Sequence, residues 1–105
     1  MICTTANTIP EKEIAKTLGL VKGNTIRARN VGKDIMAVFK NLIGGEIEEY
    51  TKLIGESREQ AYDRMLKEAE KLGADGIIAI RISTSYIMAN AAEILVYGTA
   101  VMFKD

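Results

Sequence analysis

The chain offers few side chains for covalent or metal chemistry. It contains no histidine and a single cysteine, Cys3, which excludes a Ser-His or Cys-His catalytic pair and a soft-metal site built within one subunit. Adjacent acids such as Glu48 and Glu49 point apart on a helix, which favours a solvated surface over a hard-cation site. We therefore predict no catalytic residues, no cofactor and no metal ligands within one chain, and hence a protein that is not an enzyme.

Three arginines are the candidate ligand-binding residues. Arg58 interrupts an otherwise apolar helical stripe, so burial would require a carboxylate, several carbonyls or an anionic ligand beside it. A structural ion pair, within or between subunits, is the favoured alternative to a ligand contact. Arg27 and Arg29 share one face of a predicted strand, and Arg81 lies on another predicted strand. Symmetric copies of these arginines around an axis could form a ring that holds an anion. A solvent-facing strand surface is the favoured alternative for these strand arginines.

Composition limits the partners of this protein. The chain has 105 residues, 14 basic and 14 acidic, with a formal net charge of zero and 48% hydrophobic residues. A phosphate-neutralising nucleic-acid binder would normally carry a basic excess. No stretch has the length and hydrophobicity of a membrane span, and one cysteine cannot form an internal disulfide. We expect one domain over residues 1–105, located in the cytoplasm, that binds neither nucleic acid nor membranes.

The zero net charge conceals an internal asymmetry. Residues 1–45 hold seven basic and three acidic residues, whereas residues 46–75 hold five basic and nine acidic ones. Segments of opposite charge can attract each other across a fold or across a subunit contact. A solvated helix surface is the simpler explanation for the acidic segment.

Periodicity predicts the elements that must position these side chains. The long segment from residue 46 to 72 repeats apolar residues at helical spacing, and the last strand is apolar on both faces. One helical layer covers one face of a sheet, so the other face predicts a subunit interface. The predicted strands are Ile2–Thr8, Leu20–Asn30, Gly76–Ser83 and Glu93–Phe103, and the predicted helices are Glu11–Leu18, Val31–Ile43 and Glu46–Leu72.

Short motifs along nearly the whole chain, in a fixed order, resemble the YbjQ-like family of small bacterial and archaeal proteins. The order and spacing of these motifs carry the resemblance, since no single motif is specific. They include Thr4-Thr5, Asn7-Thr8-Ile9, Leu18-Gly19, Gly44-Gly45, Ser57-Arg58-x-x-Ala61, Leu72-Gly73-Ala74-Asp75 and Gly98-Thr99-Ala100-Val101.

The resemblance implies an α+β subunit in which an antiparallel sheet packs against helices, in a dodecin-like arrangement that assembles as a homopentameric ring. The family is described as heavy-metal-binding and has no established activity. Glu11, Ala28 and Glu46 depart from the family pattern, in which glycine, glycine and arginine are usual. The change from arginine to Glu46 reverses the charge beside Gly44-Gly45 and weakens any ligand role for that corner.

The leading hypothesis is a non-enzymatic homopentamer that binds a small ligand or ion at subunit interfaces or on the central axis. The first alternative is a heavy-metal-binding protein, for which symmetric copies of Cys3 could supply a ring of thiols. The second alternative is an enzyme of unknown reaction, for which no acid, base or nucleophile constellation is visible.

Overall fold

A four-stranded sheet carries a long helix on one of its faces. The computed structural model describes residues 1–28, 46–88 and 91–105. Within these ranges the strands are β1 (Ile2–Cys3), β2 (Ile14–Ala28), β3 (Gly76–Met88) and β4 (Ala91–Phe103), and the helix is α1 (Glu46–Lys71). The order in the sheet is β1-β3-β4-β2. The predicted α+β class is confirmed, and the sheet is mixed rather than purely antiparallel because β1 runs parallel to β3.

Helix α1 ends one residue before its predicted end. Ala61, Met65 and Ala69 lie on its buried face with no exposed surface. Ser57 occupies the same face and is also fully buried, and its carbonyl oxygen accepts a hydrogen bond of 3.1 Å from Thr25 Oγ1 on β2. The buried stripe continues at a spacing of four residues from Ala61 back to Ser57. In the N-terminal half of α1 it therefore passes through Ser57 instead of the predicted Arg58.

The predicted burial of Arg58 is wrong. Its side chain is exposed, because the buried stripe passes through the neighbouring Ser57 and Arg58 lies at the border of the buried face of α1. A guanidinium in this position stays hydrated, so it needs no partner to offset desolvation.

Gly23 sets the distance between α1 and β2. A Cβ atom at this position would overlap the carbonyl oxygen of Ala61 and come within 2.5 Å of the amide nitrogen of Met65. The helix backbone therefore lies directly against the strand backbone here. Val21 and Thr25, two residues to either side, are buried on the same face of β2.

The predicted helix over Glu11–Leu18 is wrong, because Ile14–Leu18 belongs to β2. Ile14 pairs with Phe103 and Thr17 with Val101 on β4, with register shifts between Ile14 and Lys16 and between Thr17 and Gly19. An eight-residue helix is marginal in isolation, and pairing with the apolar end of β4 supplies hydrogen bonds and packing. Gly19 does have positive φ, at 118°, but it serves a strand irregularity rather than a helix end.

Strands β3 and β4 form the predicted antiparallel pair, and both are longer than predicted. Ala79 has a φ of 54°, and the register shifts between Ile78 and Arg81. The alternation of this segment predicts Ile77 and Ile80 on opposite faces, but the bulge places both in the core.

The remaining N-terminal predictions have mixed outcomes. The first strand is Ile2–Cys3 rather than Ile2–Thr8, although backbone bonds continue along β3 from Thr4 to Ile77 and Ile80. The predicted helix Val31–Ile43 lies outside the described residues. No helix in the described ranges is long and apolar enough to cross a membrane.

Candidate functional site

An open groove of about 750 Å³ lies between α1 and β3. Helix α1 packs mainly over β2 and β4, so the adjoining part of β3 is left uncovered. Ile82 is 54% exposed there and forms one wall of the groove. The helix supplies the other wall, with Gly55, Glu56, Arg58, Glu59, Gln60 and Tyr62.

Tyr62 connects this groove to the N-terminal strand. Interaction of its hydroxyl with the side chain of Cys3, followed by partial burial, raises the pKa of Tyr62 from 10.0 to about 12. The carboxylates of Glu59 and Asp63 make smaller contributions in the same direction. Tyr62 is therefore a neutral hydrogen-bonding group at physiological pH, with Cys3 half-buried against the core beside it.

The charges of the groove do not favour a small anion. Arg58 contributes one positive charge, whereas Glu56 and Glu59 contribute two negative charges. Within the described ranges, Arg58 has no ion pair shorter than 4.0 Å. The groove thus combines an aromatic ring, an aliphatic wall and charges of both signs, which suits a polar organic ligand or a partner surface better than a bare anion.

The structure does not bring the three predicted arginines together in one described site. Arg58 lies at the groove, and Arg27 lies on β2, where its backbone pairs with Ala92. The side chain of Arg27 and the whole of Arg29 are outside the described residues. The ring of arginines therefore stays a prediction.

The described residues contain no group of three or more His, Cys, Asp or Glu side chains that could hold a metal ion. Cys3 is the only thiol of the chain, and its contact is with the Tyr62 hydroxyl. Additional soft ligands would have to come from other copies of the chain.

Of the groove residues, the sequence predicted only Arg58 as a site residue, and Tyr62 and Ile82 are the most informative of those it missed. Tyr62 lies one position beyond the apolar stripe at Ala61, which is the signal that it borders the buried face. Ile82 was assigned to an apolar strand face, but nothing in the sequence indicates that α1 leaves this part of β3 uncovered.

The sheet, the helix and the groove define a small α+β protein of a fold that is already known. It is similar to a protein of unknown function from Pediococcus pentosaceus that belongs to the DUF74 family, with a TM-score of 0.70, 18% identity, and coverage of 99% of this chain and 98% of that one. At this identity the likeness concerns the fold alone.

The chain belongs to the YbjQ family, whose model is described as "Putative heavy-metal-binding" and matches residues 1–104. A "UPF0145 protein" of Archaeoglobus fulgidus is 55% identical over 104 residues, covering 99% of this chain and 96% of the relative. One from Methanosarcina acetivorans is 54% identical, covering 100% and 99%. One from Clostridium perfringens is 50% identical, again covering 100% and 99%.

Proposed function

We propose that this protein is a non-enzymatic homopentamer, ring-shaped and dodecin-like, that binds a small ligand or ion where its subunits meet. The observation that carries the proposal is the exposure of large apolar side chains on both faces of the sheet. Leu20 and Ile26 lie on the face opposite α1 and are 63% and 60% exposed, and Ile82 and Tyr86 on β3 are 54% and 74% exposed. Apolar side chains grouped in this way are typical of surfaces that another protein covers.

The position of β2 in the sheet supports the same proposal. This strand has 15 residues and is an edge of the described sheet. A long free edge presents unpaired backbone groups and promotes uncontrolled pairing, which a closed assembly of copies avoids. A net charge of zero leaves no overall repulsion between copies.

Sedimentation velocity at micromolar concentration tests the assembly. The expected species has five times the 11.5 kDa mass of one chain. Leu20→Lys should shift the distribution toward smaller species because it places a charge on the open sheet face. Leu72→Lys is the matched control, since Leu72 is 47% exposed in the turn that follows α1 and belongs to no strand.

Two results would contradict the assembly. A stable monomer of 11.5 kDa would refute self-association altogether. Dissociation by Leu72→Lys but not by Leu20→Lys would refute the sheet face as the contact surface.

The groove beside Arg58 is the proposed ligand site. An open groove next to exposed Ile82 and Tyr86 would become more enclosed if a neighbouring subunit covered this part of β3. Native mass spectrometry of protein purified from cells, compared with Arg58→Met, tests this role. Loss of a co-purified mass with unchanged assembly supports a ligand contact, whereas dissociation of Arg58→Met indicates an ion pair between subunits.

Heavy-metal binding is the second candidate, and the family description favours it. Thiols of Cys3 from symmetric copies would be the soft ligands. Titration with divalent copper, zinc and cadmium should show uptake by the native chain that is lost in Cys3→Ala. Equal and negligible uptake by both proteins would remove this candidate.

A further inference from the structure

A second groove lies on the opposite side of α1 and is rich in positive charge. It has a volume of about 360 Å³ and runs between the helix and β2. Lys22, Asn24, Arg64, Lys67, Glu68 and Lys71 contribute to its walls. From α1 this groove receives the cations Arg64, Lys67 and Lys71 and the acid Glu68, a local charge of about +2 in a chain whose net charge is zero. The side chains of Lys22 and Asn24 alternate onto the other face of β2, with Leu20 and Ile26.

In the described ranges the lysines of α1 at this groove form no ion pair shorter than 4.0 Å. Within the described ranges, no carboxylate lies within 4.0 Å of the side-chain nitrogens of Lys67 or Lys71, and Glu68 makes no ion pair with either lysine. Lys71 lies in the last turn of α1, where a cation also offsets the helix dipole. Arg64 and Lys67 lie earlier in the helix, so the dipole does not account for them.

Arg64 is held in place by the strand. Its Nη1 donates a hydrogen bond to the carbonyl oxygen of Asn24, which fixes one side of the guanidinium, and Arg64 lines the groove. In an antiparallel strand the N–H and C=O of one residue point to the same side. The amide N–H of Asn24 therefore also points away from β4, toward the side on which Arg64 lies.

Close packing at Gly23 makes this arrangement possible. A side chain at Gly23 would push α1 away from β2 and separate Arg64 from the Asn24 carbonyl. Cationic side chains, a fixed guanidinium and an outward backbone amide are the donors that bind phosphate oxygens in proteins.

We propose that this groove binds a small phosphate-bearing anion, such as a diphosphate or a phosphate ester. The span from Arg64 to Lys71 is about 10 Å at 1.5 Å per residue, which matches a small ligand rather than a nucleic-acid backbone. The groove on the other side of α1 holds Glu56 and Glu59, and these charges would repel an extended polyanion. All the residues of the site come from one subunit.

Isothermal titration calorimetry of the full-length protein with inorganic pyrophosphate and with ribose 5-phosphate tests the proposal. Saturable binding is expected, and Lys67→Gln should weaken it about tenfold because one charged hydrogen bond is lost. Arg64→Gln should weaken it at least as much, but it also removes the bond to Asn24. Lys16→Gln is the matched control, since Lys16 is exposed on β2 about 20 Å along the strand from Lys22, and it should leave binding within twofold of the native protein.

Three outcomes would overturn the proposal. The first is absence of saturable binding by the native protein at millimolar pyrophosphate, and the second is equal affinity of native protein and Lys67→Gln. The third is tighter binding of a single-stranded oligonucleotide than of pyrophosphate, which would assign the groove to nucleic acid. The first outcome, together with a lower sedimenting mass of Lys67→Gln, would indicate that the groove instead contacts acidic side chains of a second copy.

Discussion

Replacing Gly23 with alanine tests the contact on which both the fold and the basic groove depend. The added Cβ would overlap the carbonyl oxygen of Ala61 and lie 2.5 Å from the amide nitrogen of Met65. Both are backbone atoms of α1, so no flexible side chain can move aside. The helix must shift by about 1 Å to restore an ordinary contact, and the fully buried Met65 side chain would lose part of its packing.

The cost follows from the packing of the core. Insertion of one carbon into a well-packed interior typically costs about 1–3 kcal/mol. Substitution of glycine by alanine also restricts the unfolded chain, which offsets about 0.4–1 kcal/mol. Because the overlap is with backbone atoms, the upper end of the first range applies, and we expect a net loss of about 2 kcal/mol in the free energy of unfolding, or roughly 8–16 °C in Tm for a domain of this length.

Thermal and denaturant unfolding followed by circular dichroism at a fixed protein concentration would measure this loss. The control is Gly55→Ala in α1, where the nearest atom to an added Cβ is Arg58 Nη2 at 4.0 Å. That substitution should stabilise the protein by up to about 1 kcal/mol through helix propensity. Equal stability of Gly23→Ala and the native protein would refute the close approach of α1 and β2.

Three further predictions concern the core, a titration and a surface ion pair. Met65→Ala should destabilise the protein by about 2–5 kcal/mol in denaturant unfolding because Met65 is fully buried, and a loss below about 1 kcal/mol would contradict its place in the core. The raised pKa of Tyr62 means that the folded state keeps a proton that the unfolded state loses near pH 10.0, so its contribution to stability is present below pH 10 and lost between about pH 10 and 12. Tyr62→Phe should reduce the loss of stability in that window, and an unchanged pH dependence would contradict the assignment. Glu13→Gln should change stability by less than about 1 kcal/mol, since the 3.3 Å bridge from Lys104 Nζ to Glu13 joins side chains that are 62% and 78% exposed, and a larger loss in denaturant unfolding would show that the pair is more than a surface contact.

The local pattern of apolar residues in the sequence was sufficient to predict the long helix and the last two strands. Ala61, Met65 and Ala69 recur at a spacing of four residues, which predicts a helix with these residues on its buried face, and all three are buried. The apolar runs of β3 and β4 likewise identified a strand pair, although the structure extends both strands. In these segments local propensity and tertiary packing favour the same conformation.

The segment Ile14–Leu18 shows where local pattern fails. Pro10, Glu11 and Glu13 are typical of a helix start, and Gly19 is typical of a helix end. The structure uses Gly19 with positive φ inside a strand, because β4 offers hydrogen-bond partners as far as Phe103. A short helix cannot compete with pairing along a strand of this length.

The candidate sites depended still more on tertiary structure. The sequence identified Arg58 as unusual, but the one-residue shift of the buried stripe to Ser57 exposes it. The basic groove was not predicted, since Lys22 and Asn24 are forty residues or more from Arg64 and Lys67 in the sequence. The net charge of residues 46–75 is negative, which predicts an acidic surface for α1 rather than a basic groove.

By itself the sequence determined the α+β class, the long helix, the strand pair and the family. It also excluded histidine-dependent catalysis and an intrachain disulfide, since these depend on residue types alone. Tertiary structure alone decided how α1 lies across the sheet, with Gly23 allowing close contact with β2 while Ile82 on β3 stays exposed. The physical reason is that periodicity records which face of an element is apolar, whereas the place of each groove depends on how closely two backbones approach.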